Sequence, residues 1–413
     1  MRIRAAPQSG RRLCVRFPHI LLFAFACACL AQHTNPEIQE CIEQVSLDSL
    51  VKTVRILSGE DSVWMGDSLV RIAERMNDPD NEEAAEYIHR RLAAYGLSVH
   101  NQQYSETGLN VIAVQSGSGG PGKPIMLCAH YDAVDFYCAD DNASGAAAVL
   151  EAARILSRRK LTRPLLYAFW DEEETGKIGS MYYASGSDPG APETGGVINL
   201  EMFGWDGNGD SVMEIHARDI ANSDSLADVL VRIDSAYALS LNPVVYNPGA
   251  EGSDHGSFWA HGFGAVAVTQ AYWGGDFNPF YHSSEDRIAR FNLPYFRELT
   301  RLAVGAAAAL TLSAPDADAD PGPSMPPDGF ELSNAPNPFN ASTVIQYRIP
   351  RDGRVRLSVC DIRGRRIAVL ADGFQSAGTH RTVFHADDLA GGVYVVMLRT
   401  AEHVRSRKLM LIK

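Results

Sequence analysis

The length, composition and charge of the chain exclude several classes of protein. At 413 residues it is too long for one ordinary domain, and its 46% hydrophobic and 21% charged residues are typical of a globular protein. A formal net charge of −13 argues against nucleic acid as a partner, because phosphate backbones attract basic surfaces. No stretch after residue 31 is long and apolar enough to form a stable membrane span.

Residues 1–31 have the composition of a signal peptide. Five arginines and no acidic residue accompany a short apolar segment at residues 20–31. We predict cleavage after Ala31 and a protein that is secreted or held at the cell surface. The alternative is an N-terminal membrane anchor, but the apolar segment is shorter than a bilayer span.

Four cysteines follow, too few for a disulfide framework, and only Cys128 and Cys138 are candidates for a disulfide bond.

The body of the chain, residues 32–313, alternates strand-like and helix-like segments. Short apolar runs bounded by turn residues predict strands at 109–115, 124–129, 164–170, 196–202 and 264–270. Helical patterns predict helices at 81–94, 144–158, 221–238 and 293–312. Because the strands are apolar on both faces, we predict an α/β domain with a mostly parallel central sheet and helices on both faces.

A segment rich in proline and aspartate, residues 314–328, divides the chain. It holds five prolines and four aspartates, a composition typical of an extended linker. Residues 329–413 differ from the body, because their alternating strands are separated by turns rich in glycine and aspartate. The predicted strands are 344–349, 354–361, 382–385 and 393–398. This pattern predicts a small C-terminal antiparallel β-sandwich.

Histidine and acidic residues of the body are concentrated beside the predicted strand ends. His130 and Asp132 follow an apolar strand, and in an extended chain their side chains point to the same side. The Asp132 carboxylate is then placed to accept the second ring N–H of His130 and to orient that ring as a metal ligand. The pattern alone is common in ordinary proteins and needs support from other segments.

Further segments supply that support. Asp140 and Asp141 precede an alanine-rich helix, where helix capping is the simpler explanation. Another apolar strand ends in four consecutive acids, residues 171–174, which is costly at a buried strand end unless a cation is bound there. Glu201 and His282 lie in two more segments of this kind. Strand ends are where α/β sheets place their sites.

Together these segments resemble the secreted zinc aminopeptidases, a family that includes bacterial leucine aminopeptidases. The resemblance covers residues 45–312 and is carried by AHYDAV, ADDNASG, FWDEEETGKIGS, NLEMFGWDG, GSDHGSF and YHSSED. It implies an enzyme that acts on the N-termini of peptides or proteins and binds two zinc ions per chain.

Five side chains match the zinc ligands of that family. The resemblance implies that Asp140 bridges the two ions, with His130 and Glu201 on one ion and Glu174 and His282 on the other. Imidazole and carboxylate suit zinc, and two metals that share a carboxylate hold a hydroxide between them. The family's usual residue at position 201 is aspartate. Because glutamate still offers a carboxylate, we expect zinc binding to be kept, with altered metal affinity, substrate preference or binding of the second metal.

Three further residues match the catalytic groups of the family. Glu173, the neighbour of Glu174, is implied to be the general base that takes a proton from water and passes it to the leaving amine. Asp132 is implied to orient His130. Tyr281 is implied to stabilise the oxyanion with its hydroxyl group.

The preferred first residue of the substrate is not encoded in any motif. Four aromatic side chains are candidates for lining an apolar pocket: Phe203, Phe258, Trp259 and Tyr272. His255, in the GSDHGSF segment, matches a region near the pocket and is assigned support rather than chemistry.

The tail resembles the C-terminal sorting domain of type IX secretion. The matching motifs are NAPNPFN, VRLSVCDIRGRRI, AGTH, GGVYVVML and the terminal RKLMLIK. The resemblance implies the secretion machinery as a partner and export through an outer membrane. The alternative is a plain β-sandwich used for adhesion or spacing.

Three other functions fit parts of the pattern. A glutaminyl-peptide cyclotransferase shares this fold and much of this site but binds a single zinc ion. A related two-zinc carboxypeptidase or dipeptidase carries a lid domain, for which the roughly 80 residues between Glu201 and His282 are too few. A non-catalytic surface-binding module has no need of a general base such as Glu173.

Overall fold

A computed structural model describes residues 34–412, apart from 77–78, 120–121, 189–192, 313–330, 336, 338, 362–364, 387–388 and 401–403. The predicted signal peptide, residues 1–31, and the predicted linker, residues 314–328, lie outside the described residues. The cysteines in the described ranges are all unpaired, so Cys128 and Cys138 form no disulfide bond.

An eight-stranded sheet forms the centre of the body, and a separate hairpin consists of β1 and β2. The strands are β1 (Val63–Met65), β2 (Ser68–Val70), β3 (Ser98–Gln103), β4 (Leu109–Gln115), β5 (Ile125–His130), β6 (Leu165–Trp170), β7 (Gly196–Glu201), β8 (Val212–His216), β9 (Asn242–Tyr246) and β10 (Ala265–Gln270). The order across the sheet is β3-β4-β6-β5-β7-β10-β8-β9. The central strands β6, β5, β7 and β10 are parallel, which confirms the predicted mostly parallel sheet.

The five predicted strands correspond to β4, β5, β6, β7 and β10, whereas the outer strands β3, β8 and β9 are absent from the prediction. Most side chains of β3 and β9 are exposed or half-buried, so no continuous apolar run marks these strands. In β8 the buried polar residues Glu214 and His216 interrupt the apolar run. Outer strands therefore lack the signal on which the prediction depends.

In the described part of the chain, eight helices pack on the two faces of the sheet. They are α1 (Pro36–Glu43), α2 (Leu47–Leu57), α3 (Asp80–Ala94), α4 (Gly145–Leu156), α5 (Ile178–Ala184), α6 (Ser223–Ala236), α7 (His255–Ala260) and α8 (Leu293–Thr311). Alternate strand residues point to opposite faces. Leu127 and Ile198 join a core with α1–α4, α6 and α8, whereas Met126 and Val197 join a core with α5 and α7. The helices lie on both faces, as predicted.

Helices α3, α4, α6 and α8 lie within a few residues of the predicted ranges. α5 and α7, with seven and six residues, are too short to show a helical period. α1 and α2 are also absent from the prediction, although each carries a cap: the side chain of Asn35 accepts from Glu37 N, and that of Ser46 from Ser49 N. None of the helices in the described ranges is both long and apolar enough to cross a membrane.

The C-terminal part consists of antiparallel strands in two sheets that share a core. The strands are β11 (Glu331–Ala335), β12 (Ser342–Ile349), β13 (Gly353–Asp361), β14 (Arg366–Gln375), β15 (Gly378–His385), β16 (Gly392–Arg399) and β17 (Val404–Leu411). The sheets have the orders β11-β12-β15 and β14-β13-β16-β17, and Tyr347, Leu357 and Val396 lie in their common core. The predicted antiparallel architecture is confirmed. β11, β14 and β17 are absent from the prediction, and β14 has only exposed or half-buried side chains.

Candidate metal centre

The carboxyl ends of neighbouring parallel strands bring the site together. β5 ends at His130, and β7 ends at Glu201. β6, which lies between β4 and β5 in the sheet, is followed by the acidic residues 171–174. Asp141 lies in an irregular turn, Ala139–Ser144, that leads into α4. His282 lies in the loop after β10. Open α/β sheets place their ligands at this edge.

Asp141 lies between two histidines. Its Oδ1 is 3.3 Å from His130 Nε2, and its Oδ2 is 3.2 Å from His282 Nε2. Each histidine has a second carboxylate neighbour: Glu201 Oε1 is 3.4 Å from His130 Nε2, and Glu174 Oε2 is 3.1 Å from His282 Nε2. The ligand atoms form two groups that share Asp141, and within each group they lie within 4.8 Å of one another.

The donor atoms of these groups fit a divalent metal ion. Oε1 of Glu174 is buried and accepts no hydrogen bond within the part of the chain that the structure describes, which is costly unless a cation is near. Burial raises the pKa of Glu174 to about 8, and the Asp141 carboxylate adds to the effect. The two groups contain three carboxylates, those of Asp141, Glu174 and Glu201, and two histidines, so the negative charge exceeds what the histidines can neutralise. Imidazole nitrogen and carboxylate oxygen are ligands that zinc takes in proteins.

The position between the two histidines belongs to Asp141, so the prediction that Asp140 bridges the metals is wrong. The buried Asp140 side chain points elsewhere: Oδ1 accepts the backbone N–H of Gly204 at 2.7 Å, and Oδ2 accepts the Nδ2–H of Asn278 at 2.8 Å. Burial raises the pKa of Asp140 to about 6. The backbone of the turn is not helical at Asp141, where φ is −106° and ψ is 97°. The path of this turn, which the sequence does not reveal, selects the second aspartate.

Asp286 supports the same turn from the loop that carries His282. Its Oδ2 accepts the backbone N–H groups of Asp140 and Asp141 at 2.9 and 3.1 Å. Burial raises the pKa of Asp286 well above its usual range, and the Asp140 carboxylate adds to the effect. Sequence reasoning gave this residue no role, although it is the last residue of the YHSSED motif.

Arg75 is a second residue that sequence reasoning missed. The residue is 1% exposed, and its guanidinium donates to the carbonyl oxygens of Tyr131 at 2.6 Å, Tyr137 at 2.9 Å and Cys138 at 2.8 Å. It also donates to Leu57 O at 2.6 Å, which ties the segment to the end of α2. One arginine outside every motif gives no signal in a single sequence. Its contacts hold the segment between His130 and the irregular turn.

Asp132 contacts both halves of the candidate centre. Its Oδ1 is 3.1 Å from His130 Nδ1, so Nε2 of that ring faces Asp141 and Glu201. Its Oδ2 accepts the backbone N–H of Glu174 at 3.1 Å. One carboxylate therefore orients a histidine and the backbone of an acidic residue.

The longer side chain at position 201 is held by a serine. Asn199 Nδ2 donates to Ser253 Oγ at 2.9 Å, so the hydroxyl proton of Ser253 is free to donate to Glu201 Oε2. The other oxygen, Oε1, remains directed toward His130. This contact orients the glutamate where the resembling family has the shorter aspartate.

Glu173 and Tyr281 lie at the cavity beside the ligand groups. Glu173 forms a third group of potential ligand atoms with His130 and Glu174. Burial raises the pKa of Glu173 to about 10, and a nearby cation lowers such a value. Tyr281 is 40% exposed and its ring stacks on that of His282, with 3.6 Å between the ring centroids. Both side chains therefore face the space next to the candidate metal ligands.

The same cavity has an uncharged part, lined by Met202, His216, Ala250, Thr269, Tyr272 and Phe277. Of the four aromatic residues expected to line a pocket, Tyr272 does so. Phe203, Phe258 and Trp259 are instead buried in the cores on the faces of the sheet. His255 also lines the cavity, and burial lowers its pKa to about 3, so its ring is neutral.

Two parts of the chain match known families. Residues 110–307 match Peptidase family M28, and residues 335–413 match the secretion system C-terminal sorting domain. Leupeptin-inactivating enzyme 1 of Streptomyces exfoliatus is 30% identical over 231 residues, which are 50% of this chain and 50% of that protein. The chain thus spans about half the length of this relative.

Solved structures resemble the body of the chain. The LapA aminopeptidase of Legionella pneumophila has a TM-score of 0.57 at 20% identity and covers 67% of this chain and 75% of its own. The glutaminyl cyclase of Porphyromonas gingivalis has a TM-score of 0.54 at 16% identity and covers 65% of this chain and 99% of its own. At these identities the likeness shows the fold, which the two kinds of enzyme share.

Proposed function

Since residues 110–307 form a domain of peptidase family M28 and residues 335–413 form a secretion system C-terminal sorting domain, we propose that this chain is a secreted aminopeptidase with two zinc ions. The observation that carries the proposal is the position of Asp141, whose two oxygens each lie near a different histidine. A carboxylate placed in this way is suited to be shared by two metal ions.

The zinc ligands that we propose are the two groups that share this aspartate: His130, Asp141 and Glu201 for one ion, and Asp141, Glu174 and His282 for the other. When bound, the ions supply Lewis acidity that polarises the scissile carbonyl group and makes a water molecule more acidic. The carboxylates around the cavity also attract the free α-ammonium group of a peptide, which restricts cleavage to the first residue.

The remaining chemistry belongs to side chains of the chain itself. Glu173 accepts a proton from the attacking water and transfers it to the leaving amine. The hydroxyl group of Tyr281 donates a hydrogen bond to the carbonyl oxygen as negative charge develops there. Asp132 keeps the proton of His130 on Nδ1, so that Nε2 is available as a ligand.

Export of the enzyme rests on both ends of the chain. The sorting domain at residues 335–413 supports type IX secretion, with the secretion machinery as its partner. Residues 1–31 have the composition of a signal peptide, which directs a protein to secretion across the inner membrane before export through the outer membrane. We place the mature protein outside the cell or at its surface.

A glutaminyl cyclase is the second candidate, because that enzyme of Porphyromonas gingivalis shares the fold. One group of ligands is enough for the single zinc ion that we expect in a cyclase. Here two groups share Asp141, and a single ion at His282 would leave His130 and Glu201 without a metal ion to bind. The second group therefore favours the peptidase.

The test combines metal analysis with a substrate panel. We expect close to two zinc ions per chain in the metal-replete protein, and cleavage of aminoacyl chromogenic substrates that a chelator abolishes and added zinc restores. One zinc ion per chain together with cyclisation of glutaminyl peptides would favour the cyclase. Absence of bound metal would end the proposal.

A further inference from the structure

Two loops supply much of the uncharged lining of the cavity. One loop follows β9 and contains Ala250, and the other follows β10 and contains Tyr272 and Phe277. Their residues are about 20 or more positions apart in the sequence. Tertiary contacts, rather than the short connection between neighbouring residues, must therefore fix the position of one loop relative to the other.

Glu214 and His216 of β8 lie on the face of the sheet that forms the floor of this cavity. Across the antiparallel pair of β8 and β10, Glu214 is opposite Thr269 and His216 is opposite Ala267. Residues opposite each other share a face of the sheet. Thr269, Ala267 and His216 line the cavity, so Glu214 lies on the same face, where it is fully buried.

The hydrogen bonds of this pair connect the two loops. Nδ1 of His216 accepts the backbone N–H of Ala250 at 3.1 Å, so the ring carries its proton on Nε2. Nε2 donates to Oε2 of Glu214 at 3.0 Å. Oε1 of Glu214 accepts the backbone N–H groups of Trp273 at 2.7 Å and Gly274 at 2.6 Å. A continuous chain of hydrogen bonds thus runs from one loop through two side chains to the other.

Ring contacts reinforce the connection. The His216 ring stacks on Tyr246 with 5.4 Å between centroids and 16° between planes. Its edge contacts with Trp273, at 5.0 Å and 90°, and with Tyr272, at 6.2 Å and 81°, reach the loop after β10. The side chains of Glu214 and His216 are thus held in place by burial, by hydrogen bonds and by packing against aromatic rings.

We propose that Glu214 and His216 are positioning residues for the subsite that receives the side chain of the substrate's first residue, an inference that rests on the proposed aminopeptidase function. The pair sets the separation of the two loops and therefore the size of the side chain that fits between them. Because the polar atoms of both residues are already engaged, the subsite offers ring faces and apolar groups. The buried carboxylate of Glu214 disfavours acidic first residues by like-charge repulsion.

Glu214→Gln tests the hydrogen-bond chain with almost no change in shape. If the amide oxygen keeps the N–H groups of Trp273 and Gly274, the amide N–H faces Nε2 of His216. The ring must then move its proton to Nδ1, where it opposes the N–H of Ala250. We expect the ratio of kcat/KM for leucyl over alanyl substrates to change by about tenfold, the effect of one buried N–H group left without an acceptor, with zinc content kept.

Two substitutions of His216 distinguish its contact with Ala250 in one loop from its contact with Glu214, which holds the other loop. His216→Asn keeps an acceptor near the Nδ1 position for Ala250, and His216→Gln keeps a donor near the Nε2 position for Glu214. We expect each to shift the leucyl-to-alanyl ratio by less than a variant that loses both contacts, His216→Ala. If leucyl and alanyl substrates lose kcat/KM by the same factor in every properly folded variant, the selectivity ratio is unchanged. The pair is then only structural and the inference is wrong.

Two readouts do not require turnover. The ¹⁵N shifts of the His216 ring report the tautomer, which we expect to carry its proton on Nε2 in the wild type and to change in Glu214→Gln. Calorimetric affinities for free leucine and alanine report the subsite directly. Selective binding without cleavage would refute the proposed peptidase function and leave the subsite assignment standing. A wild-type ring protonated on Nδ1 would overturn the assignment even in an active enzyme.

Discussion

Neighbouring acidic residues of this site have different surroundings. Asp141 lies between two histidines, whereas the carboxylate of Asp140 is held by a backbone N–H group and an amide. Glu174 lies 3.1 Å from His282, whereas Glu173 faces the cavity beside His130. Substitutions within each pair should therefore have separable effects.

The first prediction concerns the pair Glu173 and Glu174. Glu173→Gln keeps the size of the side chain but removes the proton acceptor, so we expect both zinc ions to stay bound while turnover falls about 10²–10⁴-fold. Glu174→Gln should lose zinc as well as turnover, because it removes a ligand. Metal content and turnover of both variants check this. Loss of zinc in Glu173→Gln with retention in Glu174→Gln would reverse the two roles.

The second prediction uses Asp140 as the control for Asp141. Asp141→Asn should lose zinc at both positions, since its carboxylate is near both histidines. Asp140→Asn places an amide N–H against the N–H groups of Gly204 or Asn278, so we expect a loss of about 1–3 kcal/mol in the free energy of unfolding with near-normal zinc content. Metal analysis and denaturant unfolding distinguish the two. Equal zinc loss in both variants would contradict the assignment.

The third prediction concerns the length of the side chain at position 201. Glu201→Asp keeps a carboxylate but withdraws it from Ser253, so we expect zinc binding and activity to be retained with altered affinity. Glu201→Gln keeps the length and removes the charge, and it should release one of the two ions. Zinc titration of both variants is the measurement. A complete loss of metal in Glu201→Asp would mean that the centre requires the longer side chain.

At the scale of elements, the irregular turn before α4 depends on contacts from outside itself. Arg75 donates to the carbonyl groups of Tyr131, Tyr137 and Cys138, and Asp286 accepts two backbone N–H groups of the turn. Buried backbone groups without partners destabilise a fold. The position of Asp141 is thus a property of several elements together.

Arg75→Lys is the corresponding prediction. Lysine reaches fewer carbonyl groups from the same position, so we expect the free energy of unfolding to fall by about 2–4 kcal/mol and zinc affinity to fall with it. Arg71→Lys is the matched control, because Arg71 is exposed and donates to a single carbonyl group, that of Gly59. Thermal unfolding with and without zinc measures both effects. Equal effects of the two substitutions would show that Arg75 has no special role.

At the scale of the whole molecule, the hydrophobic cores lie on separate sides of the predicted linker. The two cores around the large sheet draw their buried residues from Ile38 to Leu312, and the core of the tail draws its buried residues from Phe339 to Leu411. A part with its own core is able to fold alone.

We therefore predict that the tail is dispensable for catalysis. A chain that ends near Asp320 should keep the turnover and zinc content of the full-length protein, because the candidate ligands and Glu173 all precede the linker. Calorimetry of the full-length protein should resolve two unfolding transitions, one of which is absent after truncation. An insoluble or inactive truncated protein would show that the two parts share a core.

Sequence alone was sufficient for the fold class and for the neighbourhood of the candidate site. Continuous apolar runs identified the strands of the sheet that are buried on both faces, and the acidic residues at their ends located the edge that carries the candidate site. His130, Glu174, Glu201 and His282 all lie at that edge in the structure. Residue type and position at a strand end carry this information because parallel strands bring their carboxyl ends together.

Tertiary contacts were needed to choose between neighbours and to find supporting residues. Whether Asp140 or Asp141 faces the histidines depends on φ and ψ in one irregular turn, which neither composition nor periodicity encodes. Arg75 acts through contacts with residues about 56 to 63 positions away. Glu214 and His216 have no apolar pattern, and their role exists only because two distant loops meet at the end of β8. Long-range hydrogen bonds of this kind have no local signature in the chain.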